Sequence, residues 1–365
     1  SKQNLTQEGS GTPVVGFLQT HYQDVYKQFN QELKLMYDTD STNLQAGVYY
    51  GWDEIDNVDR YRLVSVLYIY QHFKQTRNSY AAFAQLNQKF GDNLGVTIGL
   101  RYTEDKSRYA EAYSFITSFA NPATSPAFTS YDFNPTAPGT GFTHGSILPN
   151  GTVVPEATQV KKSGKLTGKV GLDYTFDGGA MIYGHCSRGY GAGSFSSQFF
   201  GGNPIDFVPP EEVDAYEIGL KTKFLDGRAN LTAAAFLTKY RNQQLNEVIG
   251  TTGFIRSVPG ATIKGFELEV NARPVPNLTA NLGLTYLHAT YDKLTLSGVN
   301  LDGNRLPNAP EFTLNFGFDW KAARLGNGDI VFSPNMTYTS KQFFSPFNNE
   351  DGDVDMQYAD VARTL

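Results

Sequence analysis

The chain has 365 residues, of which 18% are charged, 14% are aromatic and 36 are glycine, and it carries a net charge of −6. That balance argues against a nucleic-acid binder, which needs clustered Lys and Arg, and against a disordered chain, which is poor in aromatics. A single cysteine, Cys186, excludes an intramolecular disulfide framework and a cysteine-based zinc site. No run of about 18 apolar residues offers a membrane helix. The opening stretch Ser1–Thr12 is polar and has neither an initiator Met nor a signal-peptide pattern, so the sequence reads as an internal piece of something longer.

In chain order, the recurring signal is alternation with period two, which puts one apolar and one polar face on each strand. Leu94, Val96, Ile98, Leu100 and Tyr102 alternate with Thr97, Arg101 and Thr103. Leu166, Val170, Leu172 and Tyr174 alternate with Lys165, Lys169 and Asp173, and Tyr216, Ile218 and Leu220 with Glu217, Lys221 and Lys223. Phe266, Leu268 and Val270 alternate with Glu267, Glu269 and Asn271, and Phe312, Leu314, Phe316 and Trp320 with Thr313, Asn315 and Asp319. No helical period competes. The chain is all-β, with 13 strands expected.

Short turns are expected at Asp38–Ser41, Gly91–Asn93, Asp177–Gly179, Leu225–Gly227, Pro274–Asn277 and Ala322–Asn327. They alternate with long links at Ile55–Arg77, Lys106–Lys161, Gly191–Glu211, Asn242–Gly260, Asp292–Ala309 and Gln342–Met356. Within the first link Arg60–Tyr70 has strand-like composition, but it is read as loop. A transmembrane antiparallel up-and-down β-barrel requires this segregation, with short turns on one side and long loops on the other. Rings also close off apolar faces at both ends, as Tyr80 and Phe90 do, about ten residues and roughly 25 Å of bilayer apart. The polar face, with Arg101, Lys165, Lys169, Asp173, Glu217, Lys221, Lys223, Glu267, Glu269, Arg273 and Asp319, cannot be buried dry. It must face water or a hydrated plug, which implies a wide barrel. A half-buried sheet with aromatic core residues would share the same periodicity.

Five stretches resemble the barrel of TonB-dependent outer-membrane receptors of the siderophore type, in family order over about residues 28–321. They are QELKL at Gln31–Leu35, SYAAFAQLNQKF at Ser79–Phe90 with LGVTIGLRYTED at Leu94–Asp105, and IYGHCSRGY at Ile182–Tyr190 with GAGSF at Gly191–Phe195. The others are EEVDAYEIGLK at Glu211–Lys221 and GNRLPNAPEFTLN at Gly303–Asn315. The sequence departs from the family at Gly191, where a Lys is usual, and Cys186 occupies an apolar, lipid-facing place. The resemblance implies a fragment of a 22-stranded barrel, with residues 1–365 a partial barrel domain and the plug domain outside it. It implies the outer membrane of a Gram-negative bacterium, contact with outer-membrane lipid, and active import of a scarce nutrient, usually an iron–siderophore complex. The energy would come through the plug from the TonB-ExbB-ExbD complex. A passive outer-membrane diffusion channel and a soluble β-rich carbohydrate-binding module are the alternatives.

No catalytic set stands out. His21, His72, His144, His185 and His288 are scattered, no Gly-x-Ser-x-Gly elbow occurs, and Gly189–Gly193 has no following helix to cradle a phosphate. An enzyme, a cofactor and a metal site are therefore not expected. Asp351, Asp353 and Asp355 read as a solvated loop tip, since the EF-hand spacing is missing. Ligand contact is expected from aromatic and His residues of the long links: Tyr113, Phe119, Tyr131, Phe133, His144, Phe195 and Phe199. These rings could equally pack on one another and stiffen a lid. Arg101, Lys169, Glu217, Lys221, Glu267 and Glu269 are expected to face the plug.

Overall fold

The computed structural model describes residues 2–8, 18–63, 67–118, 140–196, 204–249, 252–296, 298–326 and 328–349. Among these residues every regular element is a strand, and no helix is long and apolar enough to cross a membrane. Fifteen strands form one sheet. Its path runs through Lys2–Glu8, Leu18–Asp38, Thr42–Leu63, Leu67–Phe90, Leu94–Ser118, Gln159–Thr175 and Met181–Gly191. It continues through Glu211–Phe224, Ala229–Ile249, Thr252–Val275, Leu278–Lys293, Phe312–Leu325 and Gly328–Phe332. Each long strand pairs antiparallel with the next in the chain, which is up-and-down topology.

Asn335–Thr339 continues the last wall strand. Both pieces pair with Phe312–Leu325, and they are separated at Pro334, which has no N–H for a ladder. Gly141–His144 is a flap on the far end of Leu94–Ser118. Among the described residues the wall therefore has thirteen positions, of which Lys2–Glu8 was not expected from the sequence, and the strand expected after Gln342–Met356 lies outside the described residues. Among the described residues the first and last strands pair on one side only, so the sheet is an open stretch of barrel wall.

The turns at one end are tight: five fall where the sequence puts them, while most of Ala322–Asn327 is strand, paired through Leu325↔Gly328. Gly91 takes φ 62° between Phe90 and Leu94, and in the turn where Arg228 N–H donates to the Leu225 carbonyl the central residues Asp226 and Gly227 take φ 53° and 80°, the left-handed pair that matches the twist of a two-strand hairpin.

The other end corrects the reading of the long links. Arg60–Leu63 and Leu67–Tyr70 are strand, not loop: Thr42–Leu63 and Leu67–Phe90 stay paired up to Leu63↔Leu67. Asn242–Gly260 is likewise mostly ladder, and Lys106–Lys161 contains strand through Ser118 and again from Gln159. The physical reason is that these extensions rise beyond the lipid. Their outward positions, such as Glu54 and Asp56, become polar, so alternation fades although the hydrogen-bond ladder persists.

Register makes the two faces continuous. One outward row runs Leu44, Leu86, Ile98, Val170, Cys186, Tyr216, Leu237, each directly paired with the next. Leu100 and Ile218 on this face are 56% and 67% exposed, as a lipid-facing band requires. Rings meet at both edges of the band. Phe29, Tyr50 and Tyr80 lie with centroids 6.3 and 5.2 Å apart at the long-strand edge. Tyr174–Phe176 and Trp320–Phe332, 5.0 and 5.9 Å apart, lie at the turn edge.

Candidate functional site

The polar face carries the chemistry, and its most built region is a recess of about 270 Å³ lined by Asp53, Arg77, Arg101, Asp105, Tyr49 and Tyr190. Arg77 donates through Nε to Asp53 Oδ2 at 2.9 Å. The Arg101 guanidinium sits 5.2 and 5.6 Å from the ring centres of Tyr49 and Phe83, and its Nε donates to Thr103 Oγ1 at 3.1 Å. Thr103, Asp105 and Ser107 are buried. The Asp105 carboxylate is held by the Tyr190 hydroxyl at 2.6 Å.

Tyr190 reaches that place because the sheet divides there. Met181–Gly191 pairs with its neighbour only as far as Arg188↔Gly168, although that neighbour runs on to Gln159. The following segment then packs against polar-face side chains of Leu67–Phe90 and Leu94–Ser118. Phe195 lies 5.1 Å from Tyr109 and 5.1 Å from Phe207, and Tyr109 stacks on Phe73 at 5.0 Å. These rings, with Ala112, form a buried apolar roof beside the polar recess.

At the division, charges are matched closely. Arg188 Nε and Nη2 meet Asp214 at 2.6 and 3.0 Å, and Arg241 bridges Asp214 and Glu212 at 2.6 and 3.0 Å. Lys165 also pairs with Glu212. The hydrogen bonds from Arg188, with Arg241 beside it, hold the Asp214 carboxyl down at about 2.

Farther out, Asp59 is buried and accepts from Gln71 Nε2 at 2.6 Å and Asn57 Nδ2 at 2.9 Å, while Asn57 also donates to Asp24 at 2.6 Å. Burial, opposed by these bonds and reinforced by Asp24, pushes Asp59 up to about 6. Its folded pKa is then above the unfolded value, so its proton stabilises the fold at low pH and that stability is lost as pH rises through about 6. The expected result is that this end of the hairpin is tighter at pH 4 than at pH 7 by up to about 3 kcal/mol. Amide exchange at Asn57–Tyr61, corrected for intrinsic rate, measures it. Equal protection at both pH values would contradict the assignment.

The six residues expected to face a plug all fall on the polar face. Arg101 lines the recess. Glu217 accepts from the Tyr183 hydroxyl at 2.8 Å and Lys221 lies 5.3 Å from the centre of the same ring, so Tyr183 brings the two together. The ring lies across Gly219, where a Cβ would come within 2.4 Å of it. Lys169 pairs in register with Gly99 and Ser187, and Glu267 with Ala234 and Thr285. Glu269 accepts from Asn271 at 2.7 Å.

The ligand candidates divide. Tyr113 stands on a strand rather than in a loop, just past a bulge at Glu111 (φ 56°), and stacks on Tyr70 at 5.7 Å. The flap brings His144 beside it, through Ser114↔His144, and His144 Nδ1 lies 3.5 Å from Glu156. Phe195 is in the apolar roof, 2% exposed, apart from that pair. Phe119, Tyr131, Phe133 and Phe199 lie outside the described residues, as do Asp351, Asp353 and Asp355. Sequence reasoning missed Asp59, Gln71, Asp105 and Tyr190.

Larger recesses of about 610 and 560 Å³ open on the apolar face, the first between Leu33, Val48, Tyr80 and Tyr102, the second between Leu94, Leu172 and Ile182. They are grooves between side chains of the apolar band.

A banded, antiparallel wall with a hydrated charged inner face defines an outer-membrane β-barrel. The chain belongs to the TonB-dependent receptor-like β-barrel family, whose profile matches residues 2–361. It lies in the outer membrane of a Gram-negative bacterium, which sets aside the soluble-module alternative. A probable TonB-dependent siderophore receptor PiuA of Acinetobacter baumannii is 33% identical over 115 residues, 28% of this chain and 15% of that protein. A ferric-pyoverdine 358 receptor of Pseudomonas putida is 33% identical over 130 residues, 34% of this chain and 14% of that protein. Among solved structures, the ferric yersiniabactin uptake receptor FyuA of Yersinia pestis aligns over 95% of this chain with TM-score 0.68 at 15% identity. The ferric citrate transporter FecA aligns over 100% with TM-score 0.61 at 15% identity. The chain spans 47% and 48% of these two structures, about half a receptor.

Proposed function

We propose that the chain is the wall of a receptor that imports an iron–siderophore complex, energised by TonB through a plug domain supplied from outside residues 1–365. The observation that carries this reading is the polar face itself: charged groups that alternate with an apolar band along the strands of an outer-membrane barrel wall. Such a face suits a hydrated passage closed by a removable polar plug. The names of the related siderophore receptors supply the ligand class. In this mechanism the wall performs no chemistry. The long strand ends and the recess around Arg77, Arg101 and Tyr190 bind cargo, and Arg101, Lys169, Glu217, Lys221, Glu267 and Glu269 contact the plug through polar pairs.

Two measurements test the reading. Outer membranes carrying the intact receptor should bind a ferric siderophore saturably, and bind cobalamin and oligosaccharides far more weakly. Binding of none, together with non-saturating conductance, would indicate a passive channel instead. The double charge reversal Arg101→Glu with Glu217→Lys should loosen plug docking, read as faster proteolysis of the plug, while membrane insertion is unchanged. Identical proteolysis and identical uptake would remove these residues from the plug interface.

A further inference from the structure

Above the aromatic edge formed by Tyr80 and Tyr102, the outward face becomes basic. Lys106 and Arg108 follow Tyr102 on the same face of their strand, and register sets Lys106 directly opposite Lys162. All three are exposed. Side chains directly opposite stand about 5 Å apart at Cβ, and Arg108 lies about 7 Å along the strand, so three cations share one small area. Like charges set opposite each other destabilise a ladder unless an anion lies between them.

The neighbouring cations are already met. Lys27 and Lys74 lie 2.9 and 3.5 Å from Glu54, and Arg188 lies 2.6 Å from Asp214. Among the described residues Lys106, Arg108 and Lys162 make no ion pair within 4 Å. The carboxylate closest to them on this face is Glu104, opposite Tyr80 and Gly164. Immediately below is the apolar groove of about 610 Å³ lined by Leu33, Val48, Tyr80 and Tyr102.

We propose that Lys106, Arg108 and Lys162 bind the phosphate groups of an outer-leaflet phosphorylated glycolipid, with its acyl chains in the groove below. The long-strand side of the wall is the outer side, and the cations stand at headgroup height, just beyond the ring edge that marks the interface. Three clustered donors of positive charge suit a phosphate monoester, which offers two charges and three acceptor oxygens. A single-charge phosphodiester lipid would leave part of the cluster uncompensated. The site faces lipid and is separate from the cargo passage, so it stands or falls independently of the imported ligand.

The test uses the intact receptor in detergent, freed of bound lipid and titrated with lipopolysaccharide while bound species are read by native mass spectrometry. The wild-type protein should retain the phosphorylated glycolipid. Lys106→Gln, Arg108→Gln and Lys162→Gln combined should weaken binding by about 100-fold. Lys106→Arg with Lys162→Arg should preserve it, which separates charge from fold, and Glu104→Gln should strengthen it. Three results would overturn the proposal: a triple variant that binds within about twofold of wild type, equal binding of dephosphorylated glycolipid, or displacement by phosphatidylglycerol at equal concentration. Unchanged heat-modifiable gel mobility of each variant confirms that the barrel is folded.

Discussion

Arginine at Ile98 is expected to destabilise the folded wall in a bilayer by about 2–4 kcal/mol, whereas arginine one residue earlier, at Thr97, costs about 1 kcal/mol or less. Ile98 is 44% exposed, paired with Leu86 and Val170, and midway between Leu94 and Tyr102, so its side chain meets lipid near the midplane. A guanidinium there loses hydration and gains no partner. Thr97 pairs with Asn87 and Gly171 on the polar face, and its hydroxyl donates to Asn87 at 3.0 Å. Its replacement loses one partly hydrated hydrogen bond and leaves the new charge in water. Denaturant titration of the intact receptor folded into vesicles reads both values. Equal costs at the two positions would mean that the face assignment is wrong.

Phe195→Ala should release the segment that roofs the recess. The ring is buried at 2% exposure between Tyr109 and Phe207, and truncation of such a ring costs about 3–5 kcal/mol through lost burial and the cavity left behind. Amide exchange at Ser194–Phe195 and Phe207–Val208 should accelerate by about 100-fold or more, since each 1.4 kcal/mol is about tenfold. Ligand contact predicts something different: weaker cargo binding with exchange unchanged. That outcome would return Phe195 to the ligand surface and contradict its role in the roof.

The membrane-spanning part of this fold was legible because lipid and water impose opposite demands on adjacent residues. In Leu94–Tyr102 or Tyr216–Lys221 every second side chain belongs to the lipid-facing band, so the pattern alone gives strand and face. The same physics hides the extensions. Above Tyr50 the outward positions Glu54, Asp56 and Arg60 are polar, as the inward Asp53, Asn57 and Asp59 are, and a ladder with two polar faces has no period to read. Asp59 and Gln71, buried partners across that ladder, were therefore invisible. Tyr190 was missed for another reason. It continues the even-numbered face of Ile182 and Cys186, and only the division of the sheet after Arg188 brings it to Asp105. The glycines of Gly189–Gly191 hinted at a bend, but not at its direction. The aromatic ligand candidates were chosen by residue type within links, which does not separate a ring such as Phe195, packed into a roof, from one such as Tyr113 beside His144.

The most direct test of energised import is uptake of a radioiron-loaded siderophore by cells in which the intact receptor is the sole route. Import coupled through a plug predicts accumulation against a gradient that is abolished in cells lacking TonB or treated with a protonophore, while binding at the surface persists. Uptake that proceeds at the same rate without TonB, and stops when inside and outside concentrations match, would identify a passive pore and contradict the account.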